Sequence, residues 1–489
     1  MASEDTISTS RSTDQICNND PEENSSQPAN RMLQFFTPDL RMVPSKLSYL
    51  FFYGAQACYI TYFNVFFTSL GLTATQAGLI TGLRAIPAFI GAPLWGMLAD
   101  YTGQRKALLL LLSVMHLSMV FPMPWIAKHV NDFELGKNHT SYNNGTITYI
   151  DIKYCTAECG DSTMFYVMMS VMLASGFVEL AIGSFLDSFV MNLVEKSTKK
   201  TNFGRQRLFG AIGFAATSFV AGIFVDRYED EYLSDYTAAF YVFFPIFLIF
   251  IPISFYVAYE AEIKPSTGGP VSSTKSLLKP VLKTCGSVSN IIFLITVLLS
   301  GICLGSVLGF IFLYMENELS SSKTAMGLSI VVGNIGEVLM FPASHKIIKT
   351  IGDIPCLISG IFSYFLRFLL MSVVTNQWVM LPIQLLHSFG FALFFAAAIE
   401  RVEKISPKEI HTTMVSIVNG LKFGFGILIA NMAGGATYDR YGGKVLFRGM
   451  AFICLGWSCV MVFYFYGSML IDRLRKTPDN DTKQNIEEL

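Results

Sequence analysis

Long apolar runs without a charged side chain recur along the whole chain and leave few folds open to it. They occupy residues 47–83, 107–127, 208–225, 236–259, 285–315, 368–399 and 449–471. A helix of about 20 apolar residues crosses the hydrocarbon core of a bilayer, and each run is near or above that length. Charged residues make up only 15% of the chain, whereas soluble domains carry about 25%. The sequence therefore predicts an all-α polytopic membrane protein that resides in a lipid bilayer.

Hydropathy, with Gly, Pro and charge taken as the breaks, predicts twelve transmembrane helices in two six-helix bundles. The bundles cover 46–260 and 288–470, and the polar stretch 261–287 between them has the composition of a cytoplasmic linker. A disordered cytoplasmic tail, 1–45, precedes them, and a second tail, 471–489, follows. The predicted spans are 47–70, 75–99, 107–127, 163–193, 207–226, 237–259, 288–315, 324–346, 353–375, 379–399, 410–435 and 446–470.

Lysine and arginine are concentrated on one side of this predicted bundle, which places both termini in the cytoplasm. The longest segment on the opposite side, 128–162, carries glycosylation sequons at Asn138 and Asn144. It also carries Cys155 and Cys159, which form a disulfide or remain two free thiols in an oxidising lumen. The acidic stretch 226–235 on the same side is predicted to be a solvated loop. The pattern fits the plasma membrane or an endomembrane.

Several classes of function are excluded by the same sequence. No segment outside the predicted spans exceeds roughly 45 residues, so a nucleotide-binding domain of ordinary size has no room. No P-loop, metal-ligand spacing, catalytic triad or cofactor fingerprint is present. The formal net charge of −1 gives no bias towards nucleic acid. We expect a monomer that is not an enzyme, binds no metal or cofactor, and takes energy for any uphill movement from an ion gradient.

The segment "GMLADYTGQRKALLL" lies between the second and third predicted spans. It resembles the cytoplasmic loop signature of the major facilitator superfamily, although Tyr101 and Gln104 replace residues that are usually basic. The resemblance implies a gate in which the Asp meets a helix terminus and basic residues when the cytoplasmic side closes. The residues that carry this gating signature are Gly96, Asp100, Gly103, Arg105 and Lys106.

Two further segments resemble branches of that superfamily. "FGRQRLFGAIGFA", residues 203–215, is similar to the start of the fifth helix of the lactose-permease branch. The similarity implies that Arg207 binds solute hydroxyls and that Gly210 and Gly213 allow close helix packing. The second half resembles the animal major facilitator superfamily domain-containing protein 6 and 6-like group, through "GEVLMFP", "LRFLLMSVVTNQWVMLPIQLLHSFGFAL" and "ATYDRYGGKVLFRG".

Ionisable residues inside predicted spans are costly, at about 2.5–3.5 kcal/mol each at the bilayer centre, so they must pair or line a water-filled cavity. The second half has one spare cation, which a substrate anion or Glu316 would balance. His116 fits either a packing or a functional role. Arg84 with Asp187 is one candidate pair. The remaining ionisable residues inside predicted spans are Arg84, Arg207, Glu179 and Asp187 in the first half and Glu337, Arg367, His387 and Lys422 in the second.

Glu337, Arg367 and His387 fall on the helices that surround the proton site in lactose-permease relatives. The resemblance implies that Glu337 takes up a proton where closing helices dehydrate it and loses it where Arg367 approaches. Those relatives carry a second carboxylate one turn after the His, where this chain has 389–391, "FGF". The proton step is therefore rearranged or lost, or the group is a structural ion pair. Lys422 either takes part in coupling or is a static partner of a carboxylate.

Two functions fit these features. The first is a proton-coupled or facilitative transporter of a small polar solute by alternating access, with Arg84, Glu179, Asp187 and Arg207 binding the solute. The second is a non-transporting receptor or scaffold that acts through the loop 128–162. Sugars, nucleosides, zwitterions and organic anions suit an arginine beside carboxylates about equally.

Overall fold

Helices are the regular elements of this protein throughout the part that its computed structural model describes, residues 40–138, 161–197, 203–228, 235–261, 274–407 and 410–476. Two π-helical turns, Phe389–Leu393 and Gly420–Phe425, interrupt the last third of the chain. The α-helices are α1 (Val43–Ile60), α2 (Phe63–Ser69), α3 (Ala74–Leu83), α4 (Ala85–Thr102), α5 (Arg105–Val120), α6 (Met123–Asn138), α7 (Asp161–Lys196), α8 (Phe203–Arg227), α9 (Thr237–Ala261), α10 (Thr274–Cys285), α11 (Val288–Asn317), α12 (Lys323–Ile351), α13 (Asp353–Val373), α14 (Gln377–Ile383), α15 (Phe394–Ile405), α16 (His411–Asn419) and α17 (Gly426–Lys476).

Ten helical segments in the described residues are long and apolar enough to cross a membrane. The last of them, Thr413–Gly467, has 55 residues, and Gly442 within it has a non-helical φ of 79° and ψ of 170°. The pair α1 and α2 is interrupted near Thr61 and is not among the ten. A multi-pass helical membrane protein is thus confirmed, while the number twelve stays a prediction.

The predicted linker and tails are partly helical where the structure describes them. The helix α10 lies within the predicted linker, α1 begins at Val43 inside the predicted N-terminal tail, and α17 continues to Lys476. Residues 1–39, 262–273 and 477–489 lie outside the described part of the chain. The predicted domain boundaries are otherwise untested.

Glycines let several of these helices approach to backbone contact. A Cβ atom on Gly213 of α8 would lie 2.9 Å from Leu50 Cα of α1, and one on Gly305 of α11 would lie 2.8 Å from Ile427 Cα of α17. Real Cβ atoms do not come this close, so each position requires glycine for the helices to touch. Gly210, whose Cβ would lie 2.5 Å from the ring of Tyr53, is similar.

At the predicted outer end, a carboxylate of the first half caps a helix of the second half. Asp226, in the last turn of α8, accepts hydrogen bonds from the backbone N–H of Lys323 and of Thr324, both at 2.7 Å, and from the Thr324 hydroxyl. The first N–H groups of a helix have no partner inside that helix and attract negative charge. Asp226, predicted to belong to a solvated loop, therefore joins the two halves.

A carboxylate of the second half makes the equivalent contact with a helix of the first half. Asp439 of α17 accepts hydrogen bonds from the backbone N–H of Ala74 at 2.8 Å and of Thr75 at 2.6 Å, and from the Thr75 hydroxyl. Asp-Arg-Tyr is the local sequence at both 226–228 and 439–441. The hydrogen bonds that join described residues of the two halves all lie in the predicted outer half, so the halves meet there.

Contacts at the predicted cytoplasmic end stay within each half among the described residues. Lys196 donates to the Ala261 carbonyl at 2.6 Å in the first half. Asp353 pairs with Arg401 at 3.5 Å and with Lys404 at 2.8 Å in the second half. The described part of the molecule is therefore closed at one end only.

Candidate functional site

Arg84 and Glu179 form an ion pair deep inside the first half, with side chains 17% and 8% exposed. Gln56 of α1 donates to the second oxygen of Glu179 at 2.7 Å. Arg84 occupies the break between α3 and α4, and a Cβ on Gly176 would lie 2.7 Å from its Cγ. The glycine on α7 therefore makes room for the arginine. We call Arg84, Glu179 and Gln56 the deep pair.

Asp187 lies two turns further along α7 and pairs with the other arginine of the first half. Arg207 Nη1 is 3.3 Å from Asp187 Oδ2, and Arg207 Nη2 donates to the Tyr53 hydroxyl at 3.1 Å. The Tyr49 hydroxyl donates to Asp187 Oδ1 at 2.6 Å. The predicted pair Arg84 with Asp187 is wrong, because Arg84 meets Glu179 instead. We call Arg207, Asp187, Tyr49 and Tyr53 the entrance pair.

The two arginine pairs differ in their access to the surroundings. The Arg207 side chain is 51% exposed, about three times as much as that of Arg84. Arg207 lies in the second turn of α8, whose start is at the predicted cytoplasmic end. It contacts the rings of Tyr53 and Phe203 at 5.9 and 6.0 Å. The entrance pair is thus open from the end at which described residues of the halves do not meet.

His116 packs in the core of the first half. It is fully buried, its Nε2 lies 3.0 Å from the Tyr59 hydroxyl, and its ring lies 5.3 Å from that of Phe247. These contacts hold the ring in the core, although its Nδ1 has no hydrogen-bond partner among the described residues. We assign it the packing role.

His387 lies between Glu337 and Arg367 in the second half. Its Nδ1 is 3.1 Å from Arg367 Nη1, and its Nε2 is 3.7 Å from Glu337 Oε2. Because a guanidinium group only donates hydrogen bonds, Nδ1 must accept. The proton of the neutral ring therefore lies on Nε2 and faces Glu337. We call Glu337, His387, Arg367 and Gln384 the histidine relay, since Gln384 accepts from the second Arg367 nitrogen.

The structure thus brings together the three residues that resemblance to lactose permease singled out. Arg367 is 4% exposed, and no described carboxylate forms an ion pair with it. Its charge reaches Glu337 through the imidazole rather than directly. The arrangement holds a proton-carrying ring between a carboxylate and a fixed cation, which is suitable for proton exchange.

Lys422 is fully buried, and its ammonium group has no hydrogen-bond partner among the described residues. Four aromatic rings surround it instead. Phe391, which stacks on His387 with centroids 5.2 Å apart, links it to the histidine relay. The ring centroids lie 4.8 Å (Phe394), 4.9 Å (Phe391), 5.4 Å (Phe395) and 5.8 Å (Phe423) from Lys422 Nζ, and we call these five residues the lysine cage.

Glu316 does not balance the spare cation of the second half. It lies at the predicted outer end, where it pairs with Lys323. The sequence leaves two partners open for this cation, a substrate anion and Glu316. Glu316 is already paired with Lys323.

The predicted gating loop is exposed and makes its ion pair internally. Arg105 Nε donates to Asp100 Oδ1 at 3.1 Å, and the Asp100 side chain is 61% exposed. Gly103 ends α4 with a φ of 67°, a value that favours glycine, whereas Gly96 has open space beside it. Lys106 reaches the Tyr259 carbonyl at 3.5 Å. Asp100 meets no helix terminus among the described residues in this conformation.

The remaining predicted sites fall outside what the structure describes. Asn144, Cys155 and Cys159 lie in the undescribed segment 139–160, and only the backbone of Asn138 is described. Within the described residues, no group of His, Cys, Asp and Glu could hold a metal ion.

This helical architecture, with ionisable side chains inside both halves, has a known counterpart. The model of the MFS_1 like family matches residues 43–449. The chain belongs to the MFS_1 like family. The predicted membership of the major facilitator superfamily is thereby confirmed.

The relatives of this MFS_1 like protein include two that are named as membrane transporters. The uncharacterized transporter YwbF of Bacillus subtilis is 23% identical, over 75% of this chain and 79% of that protein. The maltose permease of Geobacillus stearothermophilus is 23% identical, over 76% of this chain and 80% of that protein. The human major facilitator superfamily domain-containing protein 6-like is 22% identical, over 34% of this chain and 28% of that protein. Transporters of this superfamily are not enzymes, as predicted here.

Solved structures agree on the fold of this MFS_1 like protein. The crystal structure of nucleoside transporter NupG superposes with a TM-score of 0.65 at 17% identity. The match covers 88% of this chain and 99% of that one. At this identity the likeness establishes the transporter fold.

Sequence reasoning missed the uncharged partners of the ion pairs. Tyr49, Tyr53 and Gln56 contact Asp187, Arg207 and Glu179. Their spacing of four and three residues places all three on one face of α1. This row of polar side chains in an otherwise apolar span could have identified them from the sequence. Gln384 could have been identified in the same way, because it precedes His387 by three residues.

Proposed function

We propose that this protein is a secondary or facilitative transporter that moves a small polar solute by alternating access between two six-helix halves. The observation that carries the proposal is the distribution of contacts. The deep pair, the entrance pair and the histidine relay all lie inside the bundle. Described residues of the two halves meet above them, at the predicted outer end. A solute would enter from the other end, with both termini cytoplasmic.

The first half would hold the solute through the entrance and deep pairs. Arg207 is half exposed and has a tyrosine hydroxyl beside it, so it can exchange its partners for solute oxygens at little cost. The deep pair is more closely packed and would fix the position of the bound solute. Relatives named for maltose and for nucleosides support a polar solute with several hydroxyl groups.

The second half would respond to protons through the histidine relay. Glu337 faces the ring proton of His387, and Arg367 approaches from the other side. A proton that reaches Glu337 would turn the carboxylate into a donor and loosen its contact with the imidazole. Since Phe391 occupies the region where relatives carry a second carboxylate, Glu337 would be the proton carrier of a coupled cycle. Without protonation of Glu337, the cycle is facilitative.

The solute would complete the cycle by changing which end is closed. Outward opening requires release of Asp226 from α12 and of Asp439 from α3. The cytoplasmic end would then close around the loop 100–105, where Asp100 exchanges Arg105 for a helix terminus, as the superfamily resemblance implies.

The test is uptake by the full chain in proteoliposomes, with radiolabelled maltose, uridine and a metabolite panel as probes. We expect at least one polar probe to enter, and Arg207→Ala to reduce its uptake. Glu337→Gln should abolish solute-driven alkalinisation if transport is coupled. Uptake without a proton gradient, indifferent to Glu337→Gln, would leave a facilitative transporter. If no polar probe enters faster than into empty vesicles, transport is the wrong function.

A further inference from the structure

The lysine cage leaves one cation of the bundle interior without a counter-charge. Each arginine and carboxylate that the sequence analysis placed inside the spans has a charged or imidazole partner among the described residues: Arg84 has Glu179, Arg207 has Asp187, and Glu337 and Arg367 share His387. The Lys422 ammonium carries three donors and meets only ring faces. It is the position in the described bundle where one negative charge is missing.

Aromatic rings compensate a buried ammonium group only in part. Contacts between a cation and aromatic faces offset part of the cost of removing an ammonium group from water. Ring faces do not replace the oxygen acceptors that the three N–H donors had in water, and Lys422 Nζ has no hydrogen-bond partner among the described residues. Glu337 acts electrostatically on Lys422, but it does not form an ion pair with it, and its closest basic atom is on His387. The cage therefore holds the cation without satisfying its donors.

The helical turn that carries Lys422 approaches the first half. Lys422 and Phe423 belong to one π-helical turn and Phe391 to the other, and such turns occur frequently at functional sites. A Cβ on Gly420, in the turn of Lys422, would lie 3.8 Å from Phe89 of the first half, and Gly424 of the same turn has no atom within 4 Å of the place of a Cβ. The turn of Lys422 thus faces the first half at Gly420 and is loosely packed at Gly424.

The cage wall itself is only partly buried. Phe423 is 38% exposed, and Phe391 and Phe395 are intermediate, whereas Phe394 is fully buried. A rotation of the Phe423 ring would uncover the ammonium group while Phe394 stays in place. A second donor lies nearby, because the Arg367 Nε is also buried without a partner in the described residues, and both cations act on His387.

We propose that the transported solute is a small organic anion with one carboxylate, and that this carboxylate binds Lys422 with Arg367 as the second donor. The inference rests on the proposed transport function. One negative charge on the solute neutralises the second half, which otherwise holds Arg367 and Lys422 against Glu337 alone. Hydroxyl groups elsewhere on the solute would meet the entrance pair of the first half.

The first experiment needs no ligand and compares two lysine variants of the purified full chain in detergent. Lys422→Met removes an unbalanced cation, so its melting temperature should rise by a few degrees. Lys323→Met is the matched control, because it deprives Glu316 of its partner and should lower the melting temperature. If Lys422→Met also lowers the melting temperature, or leaves it unchanged, Lys422 is already balanced and the proposal is overturned.

The second experiment uses three pairs of probes that differ by one carboxylate: lactate and lactamide, glucuronate and glucose, benzoate and benzamide. At least one acid should stabilise the wild-type chain while its neutral partner does not. Lys422→Gln should weaken that acid about tenfold to hundredfold, as expected for a lost hydrogen bond to a charged group, and Lys422→Arg should retain it. Stabilisation by neutral probes alone, or by none of the acids, overturns the proposal.

Uptake into proteoliposomes separates this inference from the proposed function. Entry of a neutral probe at a rate that Lys422→Gln does not change would support the transport function and contradict the proposal that the solute is an anion bound at Lys422. If an acid stabilises the chain only when Lys422 is present, and no probe enters, the result would support an anion site and contradict the transport function.

Discussion

The two halves of the molecule are alike at their predicted outer ends and unlike inside. Asp226 and Asp439 each follow a glycine by four residues, and each carboxylate caps the first turn of a helix in the opposite half. A Cβ on Gly222 or on Gly435 would collide with the backbone of the helix that is capped. The shared features are those that join the two halves at the predicted outer end, and each half contributes one of the two caps.

The interiors differ in how charge is compensated. In the first half each arginine meets a carboxylate directly, and uncharged side chains of α1 complete the contacts. In the second half an imidazole separates Glu337 from Arg367, and Lys422 meets only aromatic rings. The interior charges of the first half therefore balance one another, whereas the second half holds Arg367 and Lys422 against Glu337 alone and so carries one cation in excess. Four experiments test this comparison.

The largest difference should appear between Glu179 and Glu337. Glu179→Gln leaves Arg84 buried without its counter-charge, which typically costs about 3–5 kcal/mol. Glu337→Gln should cost less than about 1.5 kcal/mol, because its neighbour His387 is neutral and still finds a hydrogen-bond partner. The measurement is the loss of thermal stability of each purified variant in detergent. Equal losses would show that the second half is balanced like the first.

Arg207 should affect uptake far more than stability. Its ion pair is half exposed, and such pairs contribute about 0–1 kcal/mol to folding. Arg207→Ala should nevertheless reduce solute uptake about tenfold or more, since it removes a charged donor from the binding site. Arg205→Ala, two residues earlier on α8, serves as the charge-matched control. If the two variants reduce uptake equally, Arg207 acts through the charge of the surface and not through the site.

The two outer caps should be equivalent. Asp226→Ala and Asp439→Ala should each weaken the closed end by about 1 kcal/mol, the usual value of a helix cap. This shifts the equilibrium between the two open states about fivefold. The readout is the rate of maleimide labelling of Thr81→Cys, a half-buried position between the halves, relative to the parent chain. A clear inequality between the caps would break the likeness of the halves at this end.

The smallest effect should come from the gating loop. The pair of Asp100 with Arg105 is exposed, so Asp100→Asn should change thermal stability by less than about 1 kcal/mol. It should still disfavour the outward-open state, in which Asp100 is expected to meet a helix terminus, and so slow the step that closes the cytoplasmic end. Exchange of solute across preloaded proteoliposomes includes that step and measures the change. Unchanged exchange would remove Asp100 from the gate.

The sequence carried the architecture and the positions of the buried charges because both depend on composition along one helix. Charge-free runs indicated the membrane helices, and Gly210 and Gly213 lie where close packing was expected. Glu337, Arg367 and His387 were grouped correctly through a family resemblance. The described residues form ten long apolar segments, because Thr413–Gly467 runs through the kink at Gly442 as one segment and the interrupted pair α1 and α2 is not among them.

Which carboxylate pairs with which arginine depends on how deep each side chain lies in the bundle, and the sequence does not give that depth. Glu179 and Asp187 lie on one helix about 12 Å apart, so either could have met Arg84. The break in the helix beside Arg84 decides the matter. The lysine cage was equally hidden, because the π-helical turns rotate Phe391 and Lys422 away from the positions that a regular helix would give them.

The π-helical turn at Lys422 has a mechanical consequence. A turn of this kind is wider than an α-turn by one residue, and rewinding it to the regular geometry would rotate everything beyond it by about 100° and advance it by about 1.5 Å. The rod beyond it, α17, carries Asn431 and Asp439, which touch α3. Any ligand that changes the winding at Lys422 would thus rotate the part of α17 that carries Asp439. That rotation would break the hydrogen bonds between Asp439 and the first turn of α3.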